Sequence, residues 1–212
     1  MTEEPLGAPG ARDEPGARTV DELAALLPAP PPDRPLLVAV DGRSSSGKST
    51  LAGRLAAVLP RAAVVHTDDL AWHHGVLSWD GLLVDGVLTP VRAGRAVAFR
   101  PPQWDARGRP GAVVVPAGIS HLLVEGVGVG RAALRDAFDV HLWVETPPEL
   151  RRARDEVRLA AGEMGPDDHA AWMREEDAHF AADRPWERAD VVVAGDRTGA
   201  DGRLELELRP RG

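Results

Sequence analysis

The stretch Gly42-Arg43-Ser44-Ser45-Ser46-Gly47-Lys48-Ser49 constrains this chain more than any other. It fits the spacing G-x-x-x-x-G-K-[S/T] in the context the pattern requires. A continuous apolar run, Leu36-Leu37-Val38-Ala39-Val40, precedes it, and helical periodicity (Leu51, Leu55, Val58, Leu59) follows it. Small residues let the backbone curl so that successive N–H groups point inward, and a helix opening inside the loop adds the positive end of its dipole. Such a loop is an anion cradle. Lys48 is the single lysine among 25 basic residues, and it falls on the one position that needs a compact ammonium rather than a guanidinium.

Composition narrows the class. A length of 212 residues with 43% hydrophobic content supports one domain with a real core. A formal net charge of −8 argues against nucleic acid or an anionic membrane as a partner. The absence of cysteine removes disulfides, thiolate metal sites and thiol nucleophiles. No apolar run approaches the roughly 18–20 residues of a membrane span. The segment from Met1 to Pro15 is acidic and rich in Pro and Gly, with no basic-then-apolar leader, so a cytoplasmic protein is expected. Residues 1–18 read as a disordered tail and 19–212 as a single domain.

Within that domain, Thr19-Val20-Asp21-Glu22 fits a capping box opening a short helix. Apolar runs at 36–40, 62–66, 121–125, 140–144 and 191–194 read as strands buried on both faces, as in a parallel sheet. Alternation at 204–208 suits a sixth strand at an edge. Segments 49–59, 147–161 and 167–182 read as helices. Strands alternating with helices imply an α/β fold, here a three-layer α/β/α P-loop NTPase fold with a mainly parallel five-stranded sheet. Residues 70–118 are irregular, with a small helix near 79–84 and a hairpin of 96–100 with 112–115. They read as an acceptor-binding insertion, and residues 150–168 as a lid.

The cradle chemistry points to ATP or another NTP with Mg²⁺. Gly42, Arg43, Ser44, Ser45, Ser46, Gly47, Lys48, Ser49 and Thr50 form the expected nucleotide-binding set, with Lys48 reaching the β- and γ-phosphates and Ser49 offering a hydroxyl to Mg²⁺. Strand ends line the ligand crevice in open α/β sheets. Asp68 and Asp69 stand at one such end, where a carboxylate can take a proton from an acceptor hydroxyl or hold a metal-bound water; Asp68 is the favoured base. Glu125 ends the apolar strand Leu122-Leu123-Val124 and is a candidate metal group with Ser49 and Asp68. Arg151, Arg154 and Arg158 share a helix face, and Arg154 and Arg158 are candidates for neutralising the transferring phosphoryl group. Trp72, Trp79, Asp80, Arg100, Trp104 and Asp105 are candidates for the acceptor pocket. The expected partner is a small-molecule phosphoryl acceptor, without nucleic acid or membrane; a homo-oligomer is compatible with the sequence.

From about Leu36 to Gly195 the chain resembles the uridine kinase-like branch of P-loop kinases, which also contains phosphoribulokinase and pantothenate kinase. The markers are Val40-Asp41-Gly42 through Thr50, His66-Thr67-Asp68-Asp69, Trp79-Asp80-Gly81-Leu82, Trp104-Asp105, Val124-Glu125-Gly126, the Arg151–Arg158 lid and Ala189-Asp190-Val191-Val192. The resemblance implies an ATP- and Mg²⁺-dependent kinase acting on a small-molecule hydroxyl, a nucleoside first, with Asp68 as base and Asp105 as the nucleoside-binding acid. The chain departs from the pattern in having no Tyr, in Pro101-Pro102-Gln103 ahead of Trp104, and in the Leu-Ala-Ala-Gly that follows Arg158. A sugar, antibiotic or biosynthetic intermediate therefore stands as an alternative acceptor, and a nucleotide-binding regulator without transfer as a third reading.

Overall fold

A computed structural model describes residues 17–75, 77–162, 165–195 and 204–208. The chain opens with a two-residue strand, β1 (Ala17–Arg18), and helix α1 (Val20–Leu26). The capping box is formed: Glu22 N–H donates to Thr19 Oγ1 (3.2 Å) and Thr19 N–H to Glu22 Oε2 (2.6 Å). Strand β2 (Leu36–Gly42) leads through the glycine-serine loop into α2 (Lys48–Val58), then β3 (Ala62–His66) and α3 (Thr67–Ala71).

The insertion is more ordered than its composition suggests. Helical turns run without a break through α4 (Asp80–Leu83), a π turn (Val84–Leu88) and α5 (Thr89–Arg92). The wide turn has a physical cause. Pro90 has no N–H to donate and its ring crowds the carbonyl of Gly86, where the ring of Phe99 also presses, so the ladder widens instead of breaking. Strand β4 (Val97–Phe99), helix α6 (Pro102–Ala106) and β5 (Val113–Val115) complete the insertion, with β4 and β5 antiparallel. Trp104 and Asp105 lie on α6, between the hairpin strands.

The chain returns to the sheet with β6 (His121–Glu125) and, after a 3₁₀ turn, β7 (Val140–Glu145). Helices α7 (Pro148–Ala160) and α8 (Pro166–Asp183) precede β8 (Val191–Ala194) and β9 (Leu204–Leu208). The sheet order is β1-β9-β8-β7-β2-β6-β3. β8, β7, β2, β6 and β3 are parallel, as the apolar runs require; β9 is antiparallel to β8 and lies inside the edge that the alternation at 204–208 suggested it would form. β1 pairs with β9, so residues read as the end of a tail form an edge strand instead, while 1–16 lie outside the described residues.

Strand β2 is buried along its whole length because alternate residues enter two cores. Leu37 and Ala39 pack with the insertion, through Trp79, Leu83, Val87 and Trp104. Leu36, Val38 and Val40 pack with α1 and α2, through Leu23, Leu51 and Leu55. A third cluster seats α8 on the sheet through Phe180 against Trp143 and Val192. Among the described residues no helix is long and apolar enough to cross a membrane.

Candidate functional site

Parallel strands deliver their C-terminal ends to one edge. In β3 and β6, His66 and Glu125 are register partners, so their side chains meet at that edge beside the loop that leaves β2. A cavity of about 1400 Å³ opens there, lined by Ser44, Ser45, Lys48, Ser49, Thr50, Asp68, Trp72, Glu125, Arg154 and Arg158, among others. The arrangement brings together just over half of the residues the sequence nominates, from four separate segments: 44–50, 68–72, Glu125 and 154–158.

Loop 42–49 takes the curled shape that its small residues permit. Ser45 (φ 58°) and Gly47 (φ 97°) both adopt left-handed backbone, and Gly47 is the N-cap of α2. A side chain at position 47 would find space but not an acceptable φ. Lys48 Nζ donates to the carbonyl of Arg43 across the loop (2.7 Å). The Arg43 side chain itself turns away from the cavity, onto Asp177 and the ring of Phe180, so it offers the cradle only backbone. Gly42, Arg43 and Ser46 do not line the cavity, and Ser46 is fully buried.

Ser49 Oγ donates to Glu125 Oε1 (3.0 Å), and His66 Nδ1 lies 2.5 Å from the same oxygen. Burial pushes the Glu125 carboxyl up, but the His66 hydrogen bond, the charge of Lys48 and the Ser49 hydroxyl outweigh it, and the group stays below its ordinary range. His66 is held above its ordinary value, first by the hydrogen bond to Glu125. Gly126 is required next to Glu125, since a Cβ there would run into the Thr67 hydroxyl. Asp68 opens onto the cavity floor. Its carboxyl is raised by its recessed position and by Glu125, against the opposing pull of Lys48, Arg158 and His66. Asp68 is accessible to a ligand, yet crowded by protein on the other sides. That combination lets the carboxylate meet a ligand hydroxyl while protein holds it in place.

Asp69 faces elsewhere. Its carboxylate pairs with Arg109 (2.5 Å), and its carbonyl accepts from Trp104 Nε1 (2.8 Å). Arg109 in turn lies over the Trp104 ring, 3.7 Å from its centroid. These contacts fasten the hairpin to α3. Asp69 is therefore an anchor, not a second base, because it is turned out of the cavity.

The acceptor-pocket candidates divide. Trp72 lines the cavity. Trp79 and Trp104 are core side chains, 1% and 3% exposed, since large rings in this short insertion are what fills its interior. Asp80 pairs with Arg131, whose guanidinium stacks 4.2 Å from the Trp79 ring centroid. Arg100 and Asp105 pair with each other at 2.7 Å on the outer side of the hairpin. Trp79, Asp80, Arg100, Trp104 and Asp105 do not line the cavity.

Of the α7 arginines expected to serve a lid, Arg154 donates to the carbonyls of Ser45 (2.9 Å) and Gly195 (3.2 Å), while Arg158 faces the cavity and bears on Asp68. Arg151 donates to the Thr146 carbonyl. Three residues of this region escaped the sequence reading: Asp155, which accepts from Ser45 Oγ (2.5 Å), Glu176 and Trp172. A buried acid on an otherwise charged helix is invisible without knowing what the helix rests on.

The frame is shared with known structures. A possible uridine kinase from Bacillus stearothermophilus superposes with a TM-score of 0.57 at 21% identity, covering 82% of this chain and 96% of that one. The fold is that of the P-loop kinases. A candidate fructose transport system kinase from Silicibacter sp. TM1040 superposes with a TM-score of 0.53 at 24% identity, covering 80% of this chain and 92% of that one. No family model and no curated protein matches the sequence. Within that fold, loop 42–49 leaves the central strand β2, Glu125 ends the strand beside it, and α7 borders the cavity.

The donor set fits ATP with Mg²⁺. The curled loop and Lys48 suit phosphates, and the oxygen donors of Ser49, Glu125 and Asp68 suit a hard divalent cation. Among the described residues no three or more His, Asp or Glu side chains could hold a metal by themselves. Mg²⁺ needs no such cage when it arrives with a phosphate chain.

Proposed function

We propose that the protein is an ATP- and Mg²⁺-dependent phosphotransferase that moves the γ-phosphoryl group onto a hydroxyl of a small molecule. The observation that carries this reading is the position of Asp68, on the floor of the same cavity as Lys48, Ser49, Glu125 and Arg158. Ser49 and Glu125 already offer the cation oxygen donors beside Lys48, so a further carboxylate open to the same cavity favours transfer over simple nucleotide binding.

Loop 42–49 and Lys48 would hold the phosphates, and Ser49, Glu125 and Asp68 the cation, which supplies charge neutralisation when bound. Asp68 would accept the proton of the acceptor hydroxyl as its oxygen bonds to the γ-phosphorus and the bond from that phosphorus to the bridging oxygen of the β-phosphate breaks, so that ADP leaves. Arg158 balances the negative charge that develops, and Arg154 holds the loop backbone that faces the phosphates.

A nucleoside is the acceptor implied by the family resemblance. The outward pairing of Asp105 with Arg100 favours the second reading, an acceptor other than a nucleoside. The test is incubation with MgATP and a nucleoside panel, alongside a small-metabolite extract, read by mass spectrometry for one added phosphoryl group. A uridine or cytidine product supports the nucleoside reading; a product from the extract alone names another acceptor. A Lys48→Ala variant that turns over normally overturns the scheme.

A further inference from the structure

The motif leaves the residues between its two glycines unspecified, yet in this chain each of the first three is held by an acid from α7 or α8. Arg43 Nη1 lies 2.5 Å from Asp177 Oδ1 and 3.6 Å from Glu176 Oε1. Ser45 Oγ donates to Asp155 Oδ1 (2.5 Å). Ser44, at the middle of the three, is the most fully engaged. Its N–H (3.0 Å) and its hydroxyl (2.6 Å) both donate to Glu176 Oε2, and the hydroxyl oxygen accepts from Trp172 Nε1 (2.9 Å).

Glu176 is fully buried, 0% exposed, and Oε1 has no hydrogen bond of its own. Removing a carboxylate from water costs several kcal/mol unless its partners compensate. Here the compensation comes almost wholly from the phosphate loop: two donors on Ser44 and the nearby Arg43 guanidinium. A carboxylate placed at that cost, against a loop of three serines and two glycines, does something the sheet does not need. Such a loop has many backbone states when free, and each must be given up before its N–H groups can face a phosphate.

We infer that Glu176 is a positioning residue for the phosphate-donor site, which holds the middle of loop 42–49 in its binding shape through Ser44, with Trp172 as the second support of that hydroxyl. The inference rests on the phosphate-donor reading of the site but not on the identity of the acceptor. It gives α8 a role beyond packing on the sheet: α8 supports the loop through Glu176 and Trp172, and Trp172 also lines the cavity.

The experiment is MgATP binding by titration calorimetry to the full chain and to Glu176→Gln, Ser44→Ala and the double variant, with the thermal midpoint of each free protein measured alongside. Each single variant is expected to weaken MgATP binding by about five- to twentyfold, and the double variant by no more than the weaker-binding single one, because both act through one contact. Where turnover is measurable, KM for ATP rises while kcat holds. Binding within about twofold of wild type in folded Glu176→Gln and Ser44→Ala overturns the inference and leaves the donor site intact. If Glu176→Gln does not fold, Ser44→Ala and Trp172→Phe decide by the same criterion. A wild-type chain that does not bind MgATP overturns the donor-site reading itself, and the inference with it.

Discussion

Arg109 pairs with Asp69 at 2.5 Å, and this contact separates two adjacent acids that the sequence presents as equals. Asp69 is occupied in tying the insertion to α3; Asp68 is left facing Lys48 and Glu125. Asp68→Asn is therefore expected to lower kcat by about a hundredfold or more, with a much smaller loss of MgATP binding through its share of the cation site. Asp69→Asn loses a half-exposed ion pair, worth about 0–1 kcal/mol, and retains most of its turnover. Single-turnover assays of the two variants beside calorimetric MgATP binding check this, and the reverse ranking would reassign the base.

The two α7 arginines at the cavity touch different things. Arg154 grips loop backbone at Ser45 and Gly195, so Arg154→Ala should raise KM for ATP by about tenfold with a smaller change in kcat. Arg158 faces the cavity near Asp68, so Arg158→Ala should lower kcat by about tenfold to a hundredfold. Steady-state kinetics of both variants separate the effects; identical KM and kcat changes would contradict the division.

Asp41 is fully buried at the end of β2, where its carboxylate accepts from the N–H groups of Gly42 (2.7 Å), Gly128 (2.9 Å) and Gly130 (2.9 Å). Burial raises its pKa from 3.8 to about 6, against the pull of those N–H groups and of Lys48. The charge of Arg131 also bears on it. The folded chain then binds this proton more tightly than the unfolded chain. Its contribution to stability is full below about pH 4 and is lost as pH rises towards 6. Urea denaturation from pH 4 to 7 should show wild type losing on the order of 2–3 kcal/mol relative to Asp41→Asn across that window. A constant difference between the two would refute the shift.

Trp79 and Trp104 are structural. Trp79→Ala should destabilise the domain by about 3–5 kcal/mol, since it empties the centre of the insertion core. Trp104→Phe should cost about 1–2 kcal/mol, through the lost hydrogen bond to the Asp69 carbonyl and the lost stacking with Arg109. Neither should change which acceptor is used. Thermal unfolding and the acceptor panel, run on the same preparations, test both halves of the statement.

Local pattern carried much of this molecule. Continuous apolar runs of strand length can be buried only on both faces, so the five parallel strands were legible from 36–40, 62–66, 121–125, 140–144 and 191–194. The loop 42–49 was legible because its chemistry is local: small residues, one ammonium and one hydroxyl at fixed spacing. Glu125 was legible as the acid that ends a strand, and Asp68 as an acid just past the end of one, although the structure puts it in the first turn of α3.

The tertiary structure decided what depends on facing. Which of Asp68 and Asp69 meets the cavity turns on one helical step and on Arg109, some forty residues away. Whether Trp79, Trp104 and Asp105 bind a ligand or fill and clothe the insertion depends on which side of a hairpin they occupy, and composition is the same for either. The pairing of Glu176 with Ser44 joins residues 132 positions apart, and no periodicity encodes it. Sequence sets what each segment can be by itself; long-range burial and hydrogen bonding set which of its faces the site receives.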